Sequence, residues 1–207
     1  MSKFEVADKM MSDSPRHFNA DLEKYYVIGY GAKNPPIRRK ITLWIYNFGL
    51  HCVAIYRLGR FSERLYRRIK WLALPIILIH RLLDFLVKFI HHVNIDDARL
   101  GGGFYIGHVG TIYIGPTTIG ENCSLSHNVT IGIGHSEGKE GLPVIGDNVW
   151  IGTGSIISGA ITVGNNVTII NGSILSRSVP DGCLVGGNPA RVILQNYDNT
   201  YLLGQGH

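Results

Sequence analysis

From Ile145 onward, branched apolar residues return at every sixth position: Ile145, Ile151, Ile157, Val163, Ile169 and Leu175. A helix repeats near 3.6 residues and a strand near two, so neither explains a period of six. Two shorter runs precede it, Leu100, Ile106, Ile112 and Ile119, Leu125, Ile131. The step of seven from Ile112 to Ile119 reads as a one-residue insertion. Between Ile131 and Ile145 the stretch "GIGHSEGKEGLP" breaks the phase and predicts a loop thrown out of a regular stack. A six-residue repeat suits a triangular parallel β-helix, in which each hexad makes one short strand and one corner. Three hexads, about 18 residues, close a coil that stacks like residues on like. Residues 95 to about 185 then supply about five coils, more than the roughly three such a fold needs. Glycine often follows the anchor, as at Gly107, Gly120, Gly132, Gly146, Gly152 and Gly164, which suits tight turns and positive φ. A β-sandwich with scattered glycines does not account for six anchors in strict register. The repeat alone does not show the hand of the coil.

The first half follows a different pattern. Leu43 to Leu65 and Ile69 to Ile90 carry apolar residues at helical spacing, and "NPP" (Asn34 to Pro36) marks a break before them. Pro75 either kinks the second segment or starts its main helix. The opening "MSKFEVADKMMSDSPRHFNADLEKYY" has no apolar core of the kind a secretory signal needs. The longest apolar run, Trp71 to Ile79, is short of the about 20 residues that span a bilayer.

Charge sharpens this division. The net charge of +5 is the balance of +9 in residues 1–92 and −4 in residues 93–207, and 22 of the 26 glycines lie after residue 92. The sequence therefore predicts a basic helical region, 1–92, and a hexapeptide-repeat β-helix with a C-terminal closing segment, 93–207. Arg57, Arg60, Arg64, Arg67, Arg68 and Lys70 form a basic cluster opposed only by Glu63. It reads as a solvated face of a helix packed on the β-helix or on another subunit, or as a contact with an anionic membrane surface. No nucleic-acid-binding motif surrounds it, which argues against nucleic acid as a partner. Cys52, Cys123 and Cys183 are widely spaced, show no metal-ligand spacing, and fit a reducing cytoplasm.

Of nine histidines, His17 and His207 lie in polar ends, and His51, His80, His91 and His92 in helical segments. His108, His127 and His135 lie among the hexads. His108 stands two residues after the anchor Ile106, in "FYIGHVGTIYIG", where a side chain leaves the coil. A histidine there can reach a groove and act as a base near neutral pH, or it can simply be a surface residue.

These stretches resemble the serine O-acetyltransferase branch of the hexapeptide-repeat acyltransferases, a superfamily that also includes polysaccharide O-acetyltransferases. "GLHCVAIYRLGRF" resembles the helical entry segment of that branch, and "GHVGTIYIG" its catalytic-histidine stretch. "VTIGIG", "PVIGDNVWIGTGSIISGAITVGNNVTI" and "VPDGCLVGGNPARVI" resemble the rest of the coil and its closing segment. The resemblance covers about Asp21 to Ile193. It implies a left-handed β-helix with an α-helical N-terminal segment, a homotrimer that can pair into a dimer of trimers, acetyl-CoA as donor without a metal, and an active site between subunits. By that resemblance His108 is the general base, and Asn94 holds the place of the aspartate that orients it. Asp96, His127 and His135 are the candidate acceptor contacts. Gly132, Gly134, Thr153, Asn171 and Arg191 are the positions that would line acetyl-CoA. Three positions depart from the serine-specific pattern: Asn94 in "VNIDDA", Gly107 where an aspartate precedes the catalytic histidine, and Leu142 where a loop histidine helps hold serine. They favour a saccharide hydroxyl of surface polysaccharide biosynthesis as acceptor. L-serine in cysteine biosynthesis is the alternative, and a non-catalytic trimeric scaffold the rival from another class. The expected place is the cytoplasm, with the inner face of the membrane open to the basic segment.

Overall fold

The computed structural model describes residues 15–95, 97–136 and 138–204, so Asp96 and His207 lie outside the described residues. Four helices come first: α1 (Pro15–Tyr30), α2 (Ile37–Tyr46), α3 (Phe48–Arg68) and α4 (Lys70–His91). Pro15 opens α1, where its missing N–H removes no bond. Gly31, at φ +65°, closes it, and the Gly31 N–H donates to the Val27 carbonyl at 2.8 Å. The "NPP" break falls between α1 and α2. The segment expected over Leu43 to Leu65 is two helices, because Asn47 caps α3 by accepting the Leu50 N–H at 2.9 Å. Pro75 does not start a helix: it lies inside α4, which begins at Lys70. Helices α3 and α4 form an antiparallel hairpin, and Gly59 lets the His80 ring lie directly against the α3 backbone.

After α4 the chain winds through five coils of a three-faced solenoid. The first face stacks β1 (Val93–Ile95), β4 (Ile112–Ile114), β7 (Thr130–Gly132), β12 (Ile156–Ser158) and β15 (Ile174–Leu175). The second stacks β2 (Arg99–Leu100), β5 (Thr118–Ile119), β10 (Val144–Ile145) and β13 (Thr162–Val163), and a Val163–Val179 bridge carries it into the fifth coil. The third stacks β3 (Tyr105–Ile106), β6 (Ser124–Leu125), β11 (Trp150–Ile151), β14 (Thr168–Ile169) and β16 (Leu184–Gly187), and β17 (Ala190–Leu194) closes it antiparallel to β16. Like residues stack inside: Ile106, Leu125, Ile151, Ile169 and Val185 form one column, each at most 2% exposed.

The register moves one expectation. Ile114, not Ile112, pairs with Ile131, so the corner after Ile106 holds two extra residues, eight from Ile106 to Ile114 against six from Leu125 to Ile131, and the step from Ile114 to Ile119 is one short at five. The displaced loop after Ile131 is a β-hairpin, β8 (Gly134–Ser136) and β9 (Lys139–Gly141). It folds down the stack, where the Ser136 hydroxyl donates to the Ser176 carbonyl at 2.6 Å.

The glycines after the anchors serve a purpose other than the one expected. None of Gly107, Gly120, Gly132, Gly146, Gly152 and Gly164 has positive φ. Asparagine supplies it instead, at Asn122, Asn128, Asn148 and Asn166, with φ of 54° to 58°. Several of the glycines are required by proximity: a Cβ on Gly146 would lie 2.6 Å from Asn165 Oδ1 and 2.9 Å from the Gly164 carbonyl carbon. Asparagine tolerates the left-handed region because its short amide bonds locally. Here the amides also ladder between coils, Asn122 Nδ2 donating to Asn148 Oδ1 at 2.8 Å and Asn148 Nδ2 to Asn166 Oδ1 at 3.1 Å.

A solenoid leaves an unpaired strand edge at its first coil, and the helices cover it. Tyr25 Oη accepts the Ile106 N–H at 3.0 Å and donates to the Ile106 carbonyl at 3.3 Å. Tyr56 Oη does the same for the Leu100 N–H and the Ala98 carbonyl. Asp21 accepts the Phe104 N–H at 2.7 Å and both Nε and Nη2 of Arg57, whose guanidinium also donates to the Leu100 and Gly101 carbonyls. Asp21 is fully buried and Arg57 6% exposed. Arg57 is thus no part of a solvated basic face; it is an internal cap.

Candidate active site

The corner that joins the third face to the first repeats once per coil. The position two residues after the inward anchor is His108 in the first coil, His127 in the second, Thr153 in the third, Asn171 in the fourth and Gly187 in the fifth. The winding therefore gathers four residues of the sequence-based site into one column at a single corner. His108 is exposed and His127 half-buried. Their ring centroids are 6.0 Å apart with planes at 75°, an edge-to-face contact. The two-residue expansion between Ile106 and Ile114 sets His108 on a wider corner than its counterparts occupy.

Polar groups link the column downward. The Thr153 hydroxyl donates to Ser126 Oγ at 2.8 Å, and the Thr153 N–H donates to Asn171 Oδ1 at 3.0 Å. Ser126 Oγ lies 3.3 Å from His127 Nδ1. Thr153, Ser126 and His127 thus form one polar chain along the corner. Ser126 was not among the residues singled out from sequence. Its one signal is its place between an anchor and a histidine at the same corner.

The first face borders this corner. Its outward residues Thr130, Ile156 and Ile174 stand in register on β7, β12 and β15. Beyond them runs the hairpin, with Gly134 at its base. A Cβ on Gly134 would lie 2.9 Å from Ser158 Cβ and from the Gly159 nitrogen, so the hairpin hugs the fourth coil. Coils three to five thus present a strip of surface between the Thr153–Asn171 column and the hairpin, with apolar side chains on its floor.

The remaining candidates are dispersed. Asn94 sits mid-β1 opposite Tyr113, on the face adjoining the His108 corner. Its carboxamide oxygen is buried and makes no hydrogen bond among the described residues, His108 included. His135 is exposed in the hairpin, 3.9 Å from Glu140. Arg191 is exposed on β17 opposite Gly186, one coil beyond Asn171. The three cysteines are buried thiols, none in a disulfide. Burial pushes Cys52 and Cys123 up to about 12, which makes both poor nucleophiles.

No family model matches the chain. Among curated proteins it is 31% identical over 167 residues to a serine acetyltransferase of Helicobacter pylori, a match covering 79% of this chain and 92% of that protein. The chain belongs to the serine acetyltransferase family. A serine acetyltransferase of Bacillus licheniformis is 32% identical over 167 residues, covering 79% of this chain and 73% of that protein. The solved serine acetyltransferase of Neisseria gonorrhoeae superposes with a TM-score of 0.69 at 25% identity, over 99% of this chain and 74% of that one. The Neisseria enzyme in complex with serine superposes at 0.65 with 27% identity, covering 93% of this chain and 72% of that one. A serine acetyltransferase in complex with CoA shares the fold at 0.63 and 20% identity, covering 91% of this chain and 74% of that one. Family membership and the five-coil solenoid with its helical entry agree with the sequence-based expectation. The saccharide acceptor finds no support among these relatives, and the serine alternative fits them better.

Proposed function

We propose that this chain is an acetyl-CoA-dependent serine O-acetyltransferase with His108 as general base. The observation that carries the reading is the exposed His108 on its widened corner, edge-on to His127, in a chain of the serine acetyltransferase family. An unprotonated imidazole at that place removes the proton of an acceptor hydroxyl as its oxygen attacks the thioester carbonyl. The tetrahedral adduct collapses, the C–S bond breaks, and the departing thiolate takes the proton from the imidazolium. Products are the O-acetyl ester and CoA thiol. No nucleophilic serine or cysteine is needed.

The donor's long arm fits the strip beside the column. Gly132 and Gly134 keep its hairpin side low, Thr153 and Asn171 form its corner side, and Arg191 offers a cation to phosphate one coil further on. Asn94, with its oxygen unsatisfied, and His127, edge-on to His108, are polar groups available to the acceptor. A homotrimer would complete the site by bringing a second solenoid against this corner, with the enzyme in the cytoplasm where acetyl-CoA is made.

A saccharide hydroxyl is the second reading, favoured by Gly107 and Leu142, which supply neither the acid nor the histidine suited to an amino acid. CoA-thiol release, measured with L-serine and with free and nucleotide-linked sugars, separates the two. Turnover with L-serine well above every sugar is expected. Turnover with a sugar and none with L-serine would overturn the serine assignment.

A further inference from the structure

Helix α4 wears its amphipathic pattern inside out. Its inward side, against α3 and the first coil, carries His80, Asp84 and Lys88 along with Ala73 and Val87. Its outward stripe is Trp71, Leu74, Leu78, Leu82, Phe85 and Phe89, each 47% to 85% exposed. These six are spaced by three or four residues and form one continuous helical face. Arg81 is the one charged residue on that face among those described. A water-facing helix carries the opposite arrangement, and an apolar stripe of this length marks an interaction surface.

The surrounding charge selects the occupant. Arg67, Arg68 and Lys70 are exposed at the α3–α4 turn, where the stripe begins. The nearby carboxylates are already neutralised, Glu63 by Arg60 at 3.1 Å and Asp84 by Lys88 at 2.9 Å. A cavity of about 380 Å³ beside the turn is lined by Phe61, Arg64, Leu65, Arg67 and Arg68. Three guanidinium groups around an apolar floor match a lipid phosphate with the start of its acyl chains. No described helix is long and apolar enough to cross a membrane, so the stripe would lie in the plane of the interface. A second copy of the same surface would bring the cations together without counter-charge.

We propose that α4 docks the enzyme on an anionic lipid bilayer, with Trp71 to Phe89 in the acyl boundary and the α3–α4 turn on the headgroups. This docking depends on neither the donor nor the acceptor of the reaction. The test is flotation of the full chain with vesicles of phosphatidylcholine, with or without phosphatidylglycerol. Binding is expected to the phosphatidylglycerol vesicles at low salt. It should weaken as salt rises from about 0.1 M to about 1 M. Arg64→Gln, Arg67→Gln and Arg68→Gln together should lower vesicle affinity by about tenfold or more. Leu78→Asp with Phe85→Asp should abolish binding, while circular dichroism and CoA-thiol release stay unchanged because both side chains point to solvent. Absence of binding at low salt would overturn the proposal, as would binding indifferent to both variant sets. Self-association in lipid-free solution that Leu78→Asp with Phe85→Asp abolishes would assign the stripe to a second copy and overturn it equally.

Discussion

In the proposed reaction His108 meets both substrates because its side chain is exposed. His108→Ala is expected to lower acetyl transfer by about 10²- to 10⁴-fold with the fold intact, read by CoA-thiol release on protein of unchanged circular dichroism. Lys24 shows the opposite case. Its ammonium is buried against the solenoid, donating to the Asn122 carbonyl at 2.8 Å, and burial lowers its pKa to about 7 from an ordinary 10.5. The unfolded chain therefore binds more protons at this site between pH 7 and 10.5, and stability must rise with pH in that window. Above about pH 9 the buried thiols, raised to about 12, begin to act the other way, so the clean interval is pH 7 to 9. Urea unfolding should show a gain on the order of 1–2 kcal/mol across that interval, absent from Lys24→Met. A flat profile in the wild-type chain would contradict the burial of that ammonium.

The hexad writes the coils plainly because each inward column repeats one demand, a branched apolar residue on the same face at every sixth position. The corners are less legible. A glycine after an anchor looks the same whether it supplies positive φ or clearance, and only the stacked coils show that Gly146 is needed for clearance. Gly146→Ala should cost about 1–3 kcal/mol in thermal or urea unfolding, because Asn165 and the Gly164 backbone must move. The insertion near His108 was misplaced by sequence for a related reason. Ile112 and Ile114 are both buried, and periodicity cannot choose between two inward residues. The helices were the hardest part to read. Asp21, Lys24, Tyr25, Tyr56 and Arg57 face inward to satisfy the backbone edge of the first coil, so polar residues occupy positions that a hydrophobic pattern would count as outside. Asp21→Ala removes the carboxylate that balances the buried Arg57 charge and should destabilise the chain by about 3–5 kcal/mol, measured by urea unfolding.

At the scale of the whole molecule, five coils turn a linear repeat into an address. Residues 108, 127, 153 and 171 are scattered in sequence and share one corner in space. The period of six, the widened corner after Ile106 and the displaced hairpin together put them there; in the sequence these positions came from the family resemblance, and their shared corner is what the fold adds. Asn94 and the acceptor could not be settled that way. A buried oxygen such as Asn94 Oδ1, with no hydrogen bond among the described residues, points to what a neighbouring subunit or substrate supplies, and a single chain's pattern does not encode that. If the site is shared between subunits, cyclic assembly is required for turnover. Light scattering should then find activity only in the trimer, and a fully active monomer would contradict the shared site. The most direct test of the central claim is CoA-thiol release from acetyl-CoA with L-serine, run on the wild-type chain and on folded His108→Ala. Turnover that needs L-serine and falls by about 10²-fold or more in the variant is the expected result. Equal turnover in the two proteins, or none with L-serine in the wild type, would contradict it.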